Sequence, residues 1–179
     1  MLANHGWLPR SGKDIDIAAI QAATGAVYNF APDVLTNNVQ QVTMEFNMST
    51  TGNTSTFNLE DLKKHDTIEF DGSLSRNDIY FGDNLHFNPI IWAQTAAKLG
   101  LYNNSAGPYL TVETAAKARA ARVAEAKKAN PSFNASLAEM QGTIGTTAIY
   151  LVALWDYAVN ATHKDWVRAF FGGFLKPCA

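Results

Sequence analysis

Three oxygen-bearing side chains stand within a five-residue stretch, at Glu69, Asp71 and Ser73. Carboxylate and hydroxyl oxygens suit a hard cation such as Mg²⁺, which takes few protein ligands and leaves its other positions to water or an anion. The same spacing is typical of a solvated turn whose side chains bond its own backbone. On the residues alone, a cation site and a self-capped turn are both open.

A second candidate site lies on a helix predicted after Ser136, where Gly142 and Gly145 interrupt an apolar stretch. Each glycine costs a helix about 1 kcal/mol relative to alanine, and together they leave one side of the helix bare. The bare side either packs against another helix or lines a pocket. The buried stripe of this helix is expected at Ile144, Ala148, Leu151 and Trp155.

Apolar periodicity and capping residues predict helices around these sites. Signals that start or stop a helix occur at Asp14 or Asp16, Asp33, Asn88-Pro89 with Gly100, Thr111 with Asn130-Pro131, and Thr162 with Asp165. The helix from Asp33 is expected to run to Phe46. The predicted fold class is all-α, a single-domain helical bundle over residues 1–179.

Composition excludes several function classes. With 179 residues, of which 47% are hydrophobic and 17% charged, the chain can bury a core in one domain. A net charge of −2 and Lys/Arg residues that are scattered, or predicted on the solvent side of one helix, give no basic field for nucleic acid. No apolar run is long enough to span a bilayer, and the N-terminus has no sequence of the secretory type.

Five glycosylation sequons point towards export, where composition gives roughly two by chance. Their asparagines are Asn47, Asn53, Asn103, Asn134 and Asn160. An Asn- and Thr-rich sequence explains them equally well, so the localisation and the oligomeric state are left open.

Several segments, in this order, resemble the haem-thiolate peroxidases, the superfamily of chloroperoxidases and unspecific peroxygenases, and within it the short type. They lie at residues 2–12, 57–65, 68–76, 115–125, 130–133 and 166–171. The resemblance covers nearly the whole chain and implies the helical fold of that family.

The resemblance also implies ligands and a pocket. In the family a cation, here expected to be Mg²⁺, binds the acidic turn and touches a haem propionate. It would be held by Glu69, Asp71, Ser73 and the carbonyl of Phe70. The family's distal cavity lies between this turn and the glycine-containing helix. The implied lining of an apolar substrate pocket is Ile68, Phe70, Gly142, Gly145, Thr146, Ile149 and Tyr150.

The departures from the family pattern concern its redox machinery. Family members carry the cysteine that ligates haem upstream of the Leu-Ala-Asn-His-Gly run, and this chain begins inside that run, so we expect the ligand to be missing. A histidine is replaced by Phe70 and a glutamate by Thr146, and neither replacement can carry a peroxide proton near neutral pH. Whether haem binds is therefore open. The only thiol, Cys178, is either a relocated ligand or an ordinary free cysteine.

These departures favour a small-molecule enzyme, of fungal specialised metabolism, that keeps the peroxidase scaffold but catalyses a non-redox step such as cyclisation or isomerisation. Thr146 and Tyr150 are its candidate catalytic residues. One alternative is a haem-dependent peroxidase or peroxygenase with an unusual or upstream axial ligand. Another is a non-catalytic binding protein. Fold resemblance alone does not choose among these functions.

Overall fold

A computed structural model describes residues 2–31, 33–34, 47–134 and 136–172. The chain forms two compact units, whose boundary falls between Glu69 and Phe70. The expected single domain over residues 1–179 stays a prediction. The helix expected from Asp33 to Phe46 lies almost entirely outside the described residues, as does Cys178.

Within its described residues, the first unit contains a short antiparallel pair and one long helix. Strand β1 (Ile15–Asp16) pairs with β2 (Thr56–Phe57). Helix α1 (Ile17–Tyr28) begins at Asp16, whose carboxylate accepts a hydrogen bond from the backbone of Ala19 and so caps the first turn. A 3₁₀ helix (Leu59–Lys63) follows β2. The core of this unit consists of Ala3, Leu8, Ile15, Ala23 and Phe57.

The second unit contains four α-helices, two short 3₁₀ helices and a three-stranded sheet within the part of the chain that is described. The helices are α2 (Pro89–Lys98), α3 (Val112–Ala129), α4 (Leu137–Ala153) and α5 (Lys164–Gly172), and the 3₁₀ helices are Ile79–Phe81 and Asn104–Ala106. The strands are β3 (Tyr109–Leu110), β4 (Trp155–Asp156) and β5 (Ala161–His163), in the order β3-β5-β4.

The predicted starts of two helices are confirmed in atomic detail. The Asn88 side chain accepts hydrogen bonds from the backbone of Ile90 and Ile91, and Pro89 occupies the first helical position, where its missing N–H is not needed. The Thr111 hydroxyl accepts a hydrogen bond from the backbone of Thr114. Helix α3 ends before Asn130, as its Asn-Pro signal indicates.

Three predictions about the fold are wrong, the third of them in part. The chain is not purely all-α, because five strands of two or three residues form the two antiparallel sheets; strands that short cannot show alternation in the sequence. Thr162 does not cap α5, because it lies in β5 and its hydroxyl donates to the carbonyl of Leu151. The expected buried stripe of α4 is confirmed at Leu151, whereas Ile144 is 63% exposed and Ala148 is exposed. Trp155 is half-buried and lies in β4, and the buried side of α4 includes Thr147 and Tyr150 instead.

None of the described helices combines the length and the apolar character that crossing a membrane requires.

Candidate functional site

The acidic turn, residues 69–73, begins at Glu69. Its carboxylate lies 2.6 Å from Nδ1 of His65, whose Nε2 is 3.2 Å from the carboxylate of Asp66. The Glu69 side chain is mostly buried, with 13% of its surface exposed. Within the first unit, the turn from His65 to Glu69 is thus closed by an imidazole between two carboxylates. Ile68, an expected pocket residue, is 38% exposed there.

Asp71 belongs to the second unit and is buried, with 4% exposure. Its Oδ1 accepts a hydrogen bond from the backbone of Ile79 at 3.1 Å, and its Oδ2 accepts one from the side-chain amide of Asn130 at 2.8 Å. Both oxygens of this buried carboxylate therefore have a hydrogen-bond donor. Ser73 lies nearby in sequence, and its Oγ accepts from the backbone of Ser75.

A second buried carboxylate, Asp78, anchors the same turn. Its Oδ1 accepts hydrogen bonds from the backbone of Gly72 at 2.9 Å and from the Arg122 guanidinium at 3.1 Å. Its Oδ2 accepts from Asn130 at 3.2 Å. Arg122 also donates to the carbonyl of Ser73. Because every partner is buried or nearly so, this network fixes the backbone of the turn against α3 and the residue that follows it.

Arg119 joins the turn to α4. Its Nε donates to the Thr147 hydroxyl and its NH1 donates to the Gly72 carbonyl, each at 2.9 Å. Burial lowers the pKa of the Arg119 guanidinium to about 10, with Arg122 adding to the effect and Tyr150 opposing it. The guanidinium therefore stays charged at neutral pH. The buried Arg119 guanidinium thus links the acidic turn to α4, and both of these elements carry predicted site residues.

Sequence reasoning missed Asp78, Asn130, Arg119 and Arg122. It placed basic residues on the solvent side of a helix, whereas Arg119 and Arg122 are 9% and 6% exposed. The signal that could have found them is their register, because they share a helical face with three buried alanines at Ala115, Ala118 and Ala126. Small neighbours leave space for a long side chain to reach a partner.

The turn and α4 meet directly at Phe70 and Gly142. A Cβ atom on Gly142 would lie 2.5 Å from Cε2 of the Phe70 ring, closer than non-bonded carbon atoms approach. The glycine is therefore needed for the ring to pack there. The two positions belong to the expected pocket set, and the structure brings them into contact.

The remaining pocket candidates divide between two sides of α4. Tyr150 is 5% exposed and packs in the core, where its ring meets Phe171 edge to face. Thr146 is exposed and its hydroxyl donates to the carbonyl of Thr143. Ile149 is 47% exposed, and a Cβ atom on Gly145 would meet nothing within 4 Å. Tyr150 is thus separated from the exposed members of the set.

The exposed side of α4 carries large apolar side chains beside the exposed polar residues Gln141 and Thr146. We call it the open face, and its members are Met140, Ile144, Gly145, Ile149 and Val152, of which the four with side chains are 47–63% exposed. On an amphipathic helix the apolar side is normally the buried one. Here the buried side packs into the core through Thr147, Tyr150 and Leu151, and the open face is left for another apolar surface.

A metal site of three or more His, Cys, Asp or Glu side chains does not occur among the described residues. The predicted cation set has a different composition, with two carboxylates, one hydroxyl and one carbonyl, so it stays a prediction.

The sequence matches the family described as "Peroxidase, family 2" over residues 1–174. It is 27% identical over 146 residues to a protein named aromatic peroxygenase from Coprinellus radians, covering 74% of this chain and 55% of that protein. It is 25% identical over 146 residues to a protein of the same name from Cyclocybe aegerita, covering 74% of this chain and 38% of that protein. The matched region thus spans about half or less of the length of these relatives.

The family match extends over almost the whole chain, and the named relatives agree with it. The resemblance to the haem-thiolate peroxidases and peroxygenases is confirmed, and the chain belongs to the Peroxidase, family 2.

Proposed function

We propose that this protein is a small-molecule enzyme of specialised metabolism that binds an apolar substrate on the open face of α4 and catalyses a non-redox step, such as a cyclisation or an isomerisation. The observation that carries the proposal is the open face itself, with Ile144 63% and Val152 56% exposed on a helix whose other side is in the core. Burying apolar surface of this kind favours binding by about 25 cal/mol per Å².

The groups around the open face support a reaction without peroxide. Splitting a peroxide requires a residue that carries a proton from one oxygen to the other. Thr146 is the exposed polar side chain next to Gly145, and its hydroxyl is already bonded within the helix. Phe70, packed on Gly142, offers no titratable group. Threonine and phenylalanine do not exchange protons near neutral pH.

Tyr150 does not supply the missing acid or base. Burial raises the pKa of its phenol to about 12, against a smaller opposing effect of Arg119. The phenol therefore stays neutral at physiological pH, inside the core. What the site offers is shape: an apolar surface that holds a flexible substrate in one conformation lowers the entropic part of a cyclisation barrier.

A cation at the acidic turn is part of this proposal. Asp71 and Ser73 would bind Mg²⁺ through a carboxylate oxygen and a hydroxyl, with the Phe70 carbonyl as the further ligand in the same unit. The burial of the Asp71 carboxylate, two residues before the Ser73 hydroxyl, supports it. Such an ion would act as a Lewis acid or only stabilise the turn.

A second candidate function is haem-dependent peroxygenation, and the printed names of the relatives favour it. Gly145 and Ile149 would lie against the flat apolar face of the haem, for which the open side of Gly145 leaves space. Haem would supply peroxide-driven oxidation when bound. No cysteine occurs among the described residues to ligate its iron, since Cys178 lies outside them.

Peroxide-dependent turnover of an aromatic dye separates the two functions. The purified protein is assayed as isolated and after loading with one equivalent of haemin, with haemin alone as the reference. The proposal predicts rates no higher than those of haemin alone in both cases. A haem-loaded protein that turns over the dye at least tenfold faster, and loses that activity when Gly145→Leu fills the open face, would establish the peroxygenase instead.

A further inference from the structure

The five sequon asparagines share a structural setting. All of them are exposed and lie in loops or turns: Asn47, Asn53, Asn103, Asn134 and Asn160. Of the seven other asparagines whose burial is described, two are exposed (Asn4 and Asn29), and five are half-buried or buried (Asn58, Asn77, Asn84, Asn88 and Asn130). Exposure therefore follows the sequons and is not a general property of asparagine in this chain.

Asn160 stands in the most defined of these settings. Strands β4 and β5 form a hairpin in which Asp156 is paired with Ala161, so residues 157–160 make a four-residue loop. Asn160 has a left-handed backbone with φ of 55°, which asparagine tolerates better than most residues. The Asp156 carboxylate accepts a hydrogen bond from the backbone of Ala158 and closes the start of the loop. The loop is thus held in one shape.

Tyr157 is the other end of this loop and is 79% exposed, the highest value among the large hydrophobic residues. Because Asp156 pairs with Ala161, Tyr157 and Asn160 occupy the next opposed positions of the hairpin. Nothing in the hairpin explains an aromatic ring held in water at this place. A ring beside a glycosylation acceptor is explained if it packs on the sugar, whose C–H groups suit an aromatic face.

We propose that Asn160 is an N-glycosylation site and that Tyr157 packs on its first N-acetylglucosamine. The donor is a lipid-linked oligosaccharide pyrophosphate of the secretory pathway. The Asn160 Nδ2 forms a bond to C1 of the sugar, the bond between C1 and the pyrophosphate oxygen breaks, the lipid pyrophosphate leaves, and the amide proton passes to a base of the transferase. This inference is independent of the function proposed for α4.

The position of Thr162 sets the order of events. Its hydroxyl completes the sequon, and among the five sequons it provides the one threonine, the residue that is modified more completely than serine. In the folded protein Thr162 is 0% exposed and donates to the Leu151 carbonyl at 3.1 Å. The transferase must reach that hydroxyl, so glycosylation precedes the docking of β5 onto the core.

The first experiment isolates Asn160. The chain is expressed in yeast behind a secretion leader, with Asn47, Asn53, Asn103 and Asn134 each changed to Asp. Aspartate keeps the side-chain acceptors that Asn53 and Asn103 use and tolerates the left-handed backbone of Asn47. One N-glycan removable by PNGase F is expected, and none after the further change Asn160→Asp. A secreted, folded protein without a glycan at Asn160 would overturn the assignment.

The second experiment tests the contact with Tyr157. Endoglycosidase H leaves one N-acetylglucosamine on Asn160, whereas PNGase F removes the whole glycan and leaves aspartate at position 160. The product of PNGase F therefore has the same covalent structure as the Asn160→Asp variant. The melting temperature is expected to be kept after endoglycosidase H and to fall by about 2 °C after PNGase F, to the value of Asn160→Asp. In the Tyr157→Ala background, the product of endoglycosidase H, the product of PNGase F and the Asn160→Asp variant should all have the same melting temperature. Equal melting of all forms with Tyr157 present would overturn the packing and leave the acceptor assignment standing.

Discussion

The ring of Phe70 occupies the place where a side chain on Gly142 would begin, with Cε2 2.5 Å from the position of a Cβ atom. Three residues further along α4, the corresponding space at Gly145 is empty to 4 Å. The two glycines therefore serve different purposes: Gly142 admits the aromatic ring of the acidic turn, and Gly145 leaves the open face uncovered.

This difference predicts opposite effects of the same substitution. Gly145→Ala should stabilise the protein by up to about 1 kcal/mol, because alanine favours the helix and meets no neighbour. Gly142→Ala gains the same propensity but forces the ring aside, and overpacking of this kind typically costs about 1–3 kcal/mol. Urea unfolding of both variants measures the two free energies.

The control for the Gly142 effect is removal of the ring. In a Phe70→Ala background, Gly142→Ala should no longer be destabilising, because the clash is gone. If Gly142→Ala costs the same with and without the ring, or if the two alanine variants behave alike, Phe70 does not pack on Gly142 as described.

The network around Asp78 predicts a large loss of stability. Asp78→Ala leaves the buried Arg122 guanidinium without its carboxylate, and breaking a buried ion pair from one side costs about 3–5 kcal/mol. Asp165→Ala removes a carboxylate that also pairs with an arginine, Arg168, but with 76% of the side chain exposed. That change should cost less than about 1 kcal/mol. If Asp78→Ala and Asp165→Ala lower the free energy of unfolding equally in chemical denaturation, the buried Arg122 guanidinium does not need the Asp78 carboxylate as its partner.

Tyr150→Phe is expected to leave stability unchanged or to raise it at neutral pH. The phenol oxygen is buried and has no hydrogen-bond partner among the described residues, so removing it deletes a polar group that is not satisfied there. A loss of more than about 1 kcal/mol in urea unfolding would mean that the hydroxyl has a partner, such as a buried water.

The same variant predicts a pH dependence. Burial raises the pKa of Tyr150 to about 12 in the folded protein, against about 10 in the unfolded chain. The stability from keeping the phenol neutral is fully present below pH 10 and is lost as the pH rises towards 12. The wild-type protein should therefore lose about 2 kcal/mol more than Tyr150→Phe over this range. Arg119 is present in both proteins but interacts with the phenol, so the difference reports the phenol together with that interaction.

A cation at Asp71 predicts a melting temperature that depends on Mg²⁺. A ligand that binds only the folded state at 100 times its Kd adds about 2.7 kcal/mol of stability. Thermal melts with excess Mg²⁺ and with EDTA should differ for the wild-type protein and coincide for Asp71→Asn. Asp165→Asn, at an exposed carboxylate, is the control and should keep the wild-type response. An equal response of both variants would remove Asp71 from the cation site.

Local signals in the sequence predicted helix ends well, and tertiary contacts limited the rest. Asn88 and Thr111 cap their helices through side chains that reach only two or three residues along the chain, so their effect is visible in the sequence. The buried side of α4 could not be found in this way, because its polar residues do not mark one side: Thr147 is buried, whereas Gln141 and Thr146 are exposed. Ile144 was therefore assigned to the core and is 63% exposed.

The candidate site was predictable only in part for the same reason. The contact between Phe70 and Gly142 joins positions 72 residues apart and followed from the family resemblance, not from periodicity. The side-chain partners of Asp71 and Asp78 lie 44 to 59 residues away, on Arg122 and Asn130. Neither spacing nor composition specifies which distant side chain satisfies a buried carboxylate.

Binding of an uncharged naphthalene probe tests the central claim, that the open face of α4 is a binding surface for apolar molecules. Ile144→Glu places a carboxylate on that face, and Val112→Glu makes the same change on α3 at an equally exposed position, 64% against 63%. Both should leave the free energy of unfolding within about 0.5 kcal/mol of wild type. The account predicts saturable probe fluorescence that Ile144→Glu weakens at least tenfold and Val112→Glu leaves unchanged. Equal affinity in all three proteins would contradict it.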